Sequence, residues 1–209
     1  MWRLLQLADS GFPTGGFAHS FGLEAAAQAG EVYSLPRFAR DALWQAGCGA
    51  LPLVRAAFED ATALPQLDER ADLFLANHVA NRASRTQGRT FFSTCARVFP
   101  QEAPALPDGL RMHLAPLWGA VFRALGMSLP ESQRLFLWST ARGVVSAGVR
   151  LGIAGTHEAQ ALLVELAPVL DEVYAACSEL GPESLAQPAP LLDLLQGAHD
   201  RLYSRLFQS

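Results

Sequence analysis

Apolar residues along this chain recur at intervals of three and four, and no stretch longer than a few residues alternates strictly between apolar and polar. That is the period of helices rather than strands. Trp2 to Leu7 reads as a short first helix, and Phe17 to Ala29 as a second that Gly30 stops. Ser34 caps the next, with Pro36 tolerated in its first turn. Pro52 opens a helix that ends before Pro65, Asp68 opens one that runs to about Ala83, and Ser84 caps one that ends near Phe99. Pro100 to Gly109, with Pro104 and Pro107 inside it, is the one long loop.

Ser128 and Glu131 form a capping box that launches the longest helix, to about Leu151. Its run Leu135, Phe136, Leu137, Trp138 is apolar on several faces, so this helix is central. Gly143, Ser146, Ala147 and Gly148 allow close approach of a neighbour along its second half. Thr156 caps a further helix in which Pro168 imposes a kink. Leu191, Leu195, Ala198, Leu202 and Leu206 make a stripe spaced four, three, four and four, predicting an amphipathic helix at the carboxy-terminal side. The expected fold is therefore all-α: one domain over residues 1–209, a bundle of roughly eight to ten helices around a long central helix.

Overlapping the first two helices is a segment of another kind, from Leu4 to Glu24. It mixes glycines and Pro13 with Phe12, Phe17 and Phe21, so it needs unusual backbone conformations and must also hide aromatic rings. A structured turn feeding a helix satisfies both demands. Gly11 and Gly16 match the outer glycines of a phosphate-binding loop, but Phe17 stands where that motif has lysine, and no strand precedes it.

Composition narrows the chemistry. The chain contains no lysine, which removes Schiff-base catalysis as well as a phosphate-contacting ammonium. Its charged fraction of 17% is below the roughly 25% of ordinary globular proteins. Either some apolar surface is covered by partners or the sequence carries an alanine-rich bias. The net charge of −4 without an arginine-rich block excludes nucleic acid as the expected partner. The longest uncharged run, Ser10 to Leu23, is too short and too turn-rich to span a bilayer, and Asp9 interrupts the only candidate leader. A cytoplasmic protein without a membrane anchor is expected. Cys48, Cys95 and Cys177 fit reduced, mostly buried thiols.

The five histidines, His19, His78, His113, His157 and His199, include no pair four apart, and no cysteine pair has zinc-site spacing. No catalytic, metal or cofactor residue is expected. His19 and Ser20 with Asp9 and Ser10 lack the strand scaffold of a hydrolytic triad. Arg142 and Arg150 share roughly one face of the central helix, and Arg201 and Arg205 lie four apart on the last. Arg201 reads as solvated or locally paired. Arg150 and Arg205 read equally well as solvated or locally paired charges and as groups pairing a carboxylate in a packed core or an interface.

The turn also carries a resemblance. Leu4 to Leu7, the Asp9, Ser10, Pro13, Thr14, Gly15, Gly16, Phe17 turn and the Gly22, Leu23, Glu24 exit resemble the UreF family of urease accessory proteins, in its plant-like form. Leu51 to Arg55 is similar to that family's leucine-proline-leucine helix start, and Asn81 to Arg85 to its short break between helices. Ser146 to Leu151 is similar to its central-helix signature, and Leu195 to Phe207 to its tail. Gly152 to Thr156 departs from the proline-leucine-glycine-glutamine run of many bacterial members. The resemblance implies a nickel-insertion chaperone or scaffold, not an enzyme. Such a protein binds the UreD or UreH accessory protein, recruits the UreG GTPase and serves the urease apoprotein, with a possible homodimer through central helices. It points to Pro13, Gly15, Gly16, Phe17, His19, Glu24, Arg150, Tyr203, Arg205, Leu206 and Phe207 as partner-binding residues. The alternative is a helical enzyme or small-ligand or nucleotide binder using the Gly11–Gly16 turn.

Overall fold

The computed structural model describes residues 1–30 and 34–209, which hold eleven α-helices and no strand. They are α1 (Trp2–Ala8), α2 (Leu23–Gln28), α3 (Leu35–Gly49), α4 (Leu51–Glu59), α5 (Leu64–Phe74), α6 (His78–Val98), α7 (Leu114–Ala124), α8 (Leu129–Arg150), α9 (Thr156–Glu165), α10 (Ala167–Cys177) and α11 (Pro190–Gly197). The all-α class follows from the apolar spacing as expected.

The central helix is α8. Its capping box is complete, since the Ser128 hydroxyl accepts from the Glu131 amide at 3.4 Å and the Glu131 carboxylate accepts from the Ser128 amide at 2.8 Å. From Leu135 to Val145 it buries side chains in several directions, and only Pro130 and Arg134 along it are exposed. α7, which apolar spacing had not delimited, lies beside it and is buried from Ala115 to Phe122. Trp118 stacks on Phe91 and Phe122, with ring centres 4.9 and 4.7 Å away, and meets Phe136 edge-on at 5.4 Å. Its indole N–H donates to the Ser132 carbonyl at 3.0 Å, so the polar end of the ring is also satisfied. A Cβ on Gly119 would come within 2.1 Å of the Val54 carbonyl oxygen, so α4 and α7 cross at backbone contact.

Several boundaries differ from the sequence-based expectation. The second helix is split, with a 3₁₀ turn over Gly16–Ala18 and α2 starting only at Leu23. Phe21 at φ 58° and Gly22 at φ 89° are both left-handed, and two such residues in succession end any right-handed helix. The helix opened by Pro52 does end before Pro65, as expected, at Glu59, and Pro65 itself stands in the first turn of α5. The break before α6 falls at residues 75–77, not at 81–85: the Asn77 side chain accepts from the amides of Val79 and Ala80. Asn81 to Arg85 are helical, and Ser84 is an internal bracket whose hydroxyl bonds the Leu114 amide and the His113 ring. Asp68 does not open a helix either. Its buried carboxylate takes the amides of Arg111, Met112 and His113 and pins the loop that feeds α7. Gly155, not Thr156, caps α9, and Pro168 begins a separate helix instead of kinking one.

Cys48 and Cys177, distant in sequence, meet at 3.7 Å between α3 and α10 as free thiols. Burial pushes the thiols of Cys95 and Cys177 up to about 12, which keeps both protonated and unreactive at neutral pH. No described helix is long and apolar enough to cross a membrane.

Candidate functional site

The turn is assembled from short-range hydrogen bonds and then clamped by α6 and α8. Asp9 accepts from the Gly11 amide at 2.6 Å, and the Thr94 hydroxyl on α6 donates to the Pro13 carbonyl at 2.8 Å. Phe12 is buried and stacks against Phe99. Gly15, at φ 78°, also lies close to Thr90, where an added Cβ would stand 3.2 Å away. Gly16 has no such need, since an added Cβ there meets only ordinary contacts, so of these two adjacent glycines Gly15 alone is required by the backbone. The second demanding position is Gly22, where a Cβ would press on the Gln196 backbone at 3.0 Å.

The carboxy-terminal segment completes the site. The expected amphipathic helix ends at Gly197, a 3₁₀ turn spans His199–Arg201, and residues 202–209 run through bends without helix. This tail folds back onto the turn. Ser20 donates its amide to Ser209 at 2.6 Å, and Gln208 donates to the Ala18 carbonyl at 2.8 Å. Glu24, 2% exposed, accepts from the amides of Leu206 at 2.6 Å and Phe207 at 3.1 Å. The tail's backbone groups thus find partners across the fold instead of along a helix, which is why the leucine stripe stops being helical.

Arg150 reaches across from the end of α8. Its guanidinium donates to the Phe17 carbonyl and lies between two rings, 3.9 Å from the centre of Phe17 and 4.1 Å from that of Phe207. It therefore bridges turn and tail, using a carbonyl and two aromatic faces where a carboxylate partner had been one expectation. Arg142 similarly donates to the Ala8 carbonyl. Arg205 lies 3.5 Å from Asp200, and Asp200 in turn receives Arg82 at 2.7 Å and His78 at 3.1 Å.

Of the residues singled out from sequence, the fold gathers Pro13, Gly15, Gly16, Phe17, His19, Glu24, Arg150 and Phe207 at the turn–tail junction, with Tyr203, Arg205 and Leu206 along the tail. They divide by burial. Phe17, Tyr203 and Leu206 are exposed apolar side chains at 72%, 105% and 54%, while His19, Glu24 and Phe207 are interior. The interior set holds the tail, and the exposed set is what a partner could touch. Sequence reasoning named Phe21, Ser20 and His199 without placing them among the partner-binding residues, and it passed over Ser209.

His19 bonds the Ser209 hydroxyl through Nδ1 at 2.6 Å. A hydroxyl beside an imidazole suggests a nucleophile, yet both residues are sealed from solvent and offer a substrate no approach. Burial, reinforced by the nearby positive charges of His199 and Arg82, depresses the His19 imidazole to about 4. His19 Nε2 and His199 Nδ1 are buried without a hydrogen-bond partner. Among the described residues no group of three or more His, Cys, Asp and Glu side chains is placed to hold a metal ion. Behind the turn lies a mainly apolar cavity of about 350 Å³, walled by Phe12, Phe21, Trp118 and Phe136.

Similarity to known proteins covers the chain from end to end. It is 37% identical over 221 aligned residues to urease accessory protein F of Arabidopsis thaliana, spanning 100% of this chain and 92% of that protein. The protein of the same name from Oryza sativa subsp. indica is 36% identical, over 99% of this chain and 84% of that one. Urease accessory protein UreF of Pseudomonas putida is 31% identical, over 99% and 96%. The family model described as UreF matches residues 31–167, and with these full-length relatives it establishes that the chain belongs to the UreF family.

Proposed function

We propose that this protein acts in urease maturation as a scaffold without chemistry of its own. In this reading it binds the UreD or UreH accessory protein, recruits the UreG GTPase and so helps supply nickel, as cargo, to the urease apoprotein. Family membership supports the setting. The observation that carries the binding mode is the pinned tail, which holds Tyr203 and Leu206 in solvent beside the exposed Phe17. Large apolar side chains on an ordered backbone suit partner docking because little conformational entropy remains to be lost. A dimer through central helices finds little free surface on α8, where only Pro130 and Arg134 are exposed.

The test is co-purification with the D-type partner and UreG. Replacing Tyr203 and Leu206 together by serine, and leaving Phe17 to hold Arg150, should keep the melting temperature within about 2 °C, as expected for exposed sites, and should remove the partner. Full retention of the partner by the folded variant would refute the docking role. The cavity behind the turn favours a second reading, a small apolar ligand. A nucleotide suits it poorly, because the two guanidinium groups on its wall, Arg142 and Arg150, are both engaged by carbonyls. Equilibrium binding of nucleotides and small apolar probes to the isolated chain separates the two readings.

A further inference from the structure

On the side of α6 turned away from the glycine turn, His78, Arg82, Arg85 and Arg89 follow one another at spacings of four, three and four, which places them on a single helical face. Arg111, from the loop before α7, closes the other side of a shallow groove of about 600 Å³ that also includes Asp72 and Asn81. Four guanidinium groups thus line one groove in a chain whose net charge is −4.

The carboxylates nearby do not neutralise them all. Asp72 takes Arg111 at 2.8 Å, together with Asn81 and His113. Asp200 takes Arg82 through two bonds, 2.7 and 3.1 Å, together with His78. Hydrogen bonds hold both acids below the usual carboxylate range, from Asn81 foremost at Asp72 and from Arg82 foremost at Asp200. Each is a saturated anion with its partners already taken. Arg85 spends one N–H on the Arg111 carbonyl at 3.3 Å and has no carboxylate partner among the described residues, and neither has the exposed Arg89.

We propose that this groove docks an acidic, extended segment of a partner protein, its carboxylates received by Arg85 and Arg89. Charge complementarity selects the chemistry, and spacing selects the conformation. Four helical residues advance about 6 Å along α6, close to the roughly 6.5–7 Å between alternate side chains of an extended strand. Two acids separated by one residue can therefore each meet a planar guanidinium in bidentate geometry. Nucleic acid fits less well, since the lining has no Phe, Tyr or Trp ring on which a base could stack and its one imidazole, His78, is engaged by Asp200.

The proposal is tested with the full chain and a fluorescent hexaglutamate peptide, followed by anisotropy at low and moderate salt, with inorganic phosphate and a single-stranded oligonucleotide as competitors. R85Q/R89Q should weaken peptide binding at least about tenfold with little change in melting temperature, because Arg89 is exposed, Arg85 is half-buried with a single long bond to the Arg111 carbonyl, and neither is in an ion pair. R40Q/R70Q, which removes the same charge elsewhere on the surface, should weaken it less than about twofold. Equal loss in the two double variants would reduce the groove to a general charge effect and overturn the proposal. So would undetectable peptide binding by the unaltered chain, or displacement by phosphate or the oligonucleotide at the peptide's own concentration.

Discussion

The Glu24 carboxyl group sits in a nearly dry interior, held by two backbone amides that lie 182 and 183 residues further along the chain. Removing its carboxylate leaves those amides without an acceptor, so Glu24→Ala should cost about 2–3 kcal/mol, whereas Glu24→Gln, which keeps an acceptor oxygen, should cost less. Urea midpoints of the two variants measure the difference. His19 gives the site its pH response. Its imidazole is depressed to about 4 in the fold, against 6.5 when free, so between these values the unfolded chain binds a proton that the folded chain refuses. Stability is then undiminished above about pH 6.5, falls as pH drops toward 4 and levels off below, a loss of about 3 kcal/mol from this residue. His113, lowered chiefly by burial, acts with the same sign. Melting curves from pH 7 to 4 should show the decline, and His19→Asn should flatten it; an unchanged slope in that variant would assign the decline to other groups. Arg150→Ala removes a half-buried cation from between two rings and should cost about 1–2 kcal/mol.

The helices were legible wherever apolar spacing and a cap agreed, as with Ser34 before α3 and Ser128 with Glu131 before α8. They were misread where a residue's partner is distant in sequence. Ser84 resembled a cap but serves His113 and Leu114 from inside α6, while Asn77, with a competent side-chain cap, stood before the true boundary. The leucine stripe gave α11 correctly and then continued on paper past Gly197, because no local pattern reveals that Glu24 and Ala18 will satisfy the tail's amides. For the candidate site, the glycine-rich turn was recognisable as special, whereas the division of labour between Gly15 and Gly16 required dihedral angles. Gly15→Ala should lower stability by about 1–2 kcal/mol through its left-handed backbone. Gly16→Ala should be within about 0.5 kcal/mol of the unaltered protein, the range of unstrained sites. Comparing the two by thermal melting isolates conformation from the size of the added methyl group.

At the scale of the molecule, the main apolar core draws on side chains from Leu7 in α1 to Phe207 in the tail, Trp118 among them, beside a smaller cluster of Leu64, Leu117 and Ala120. Deleting residues 203–209 therefore removes core packing and the proposed docking side chains together, since it strips Phe207 from that core and takes both amide donors from the Glu24 carboxyl group, leaving it only the His199 ring at 3.9 Å. The truncated chain should lose its cooperative melt, and a truncation that melts normally would show the tail to be dispensable to the fold. The pinning of tail to turn also governs how backbone amides trade protons with solvent. Those of Ser20, Leu206, Phe207 and Gln208 are tied into one another's segments, so none can open while the tail stays down. They should exchange with deuterium as one unit, faster than the amides in the middle of α8, because only the tail has to lift. A partner that touches nothing but the exposed side chains must then slow all four together, which makes deuterium uptake at Ser20 a gauge of what is bound at Leu206.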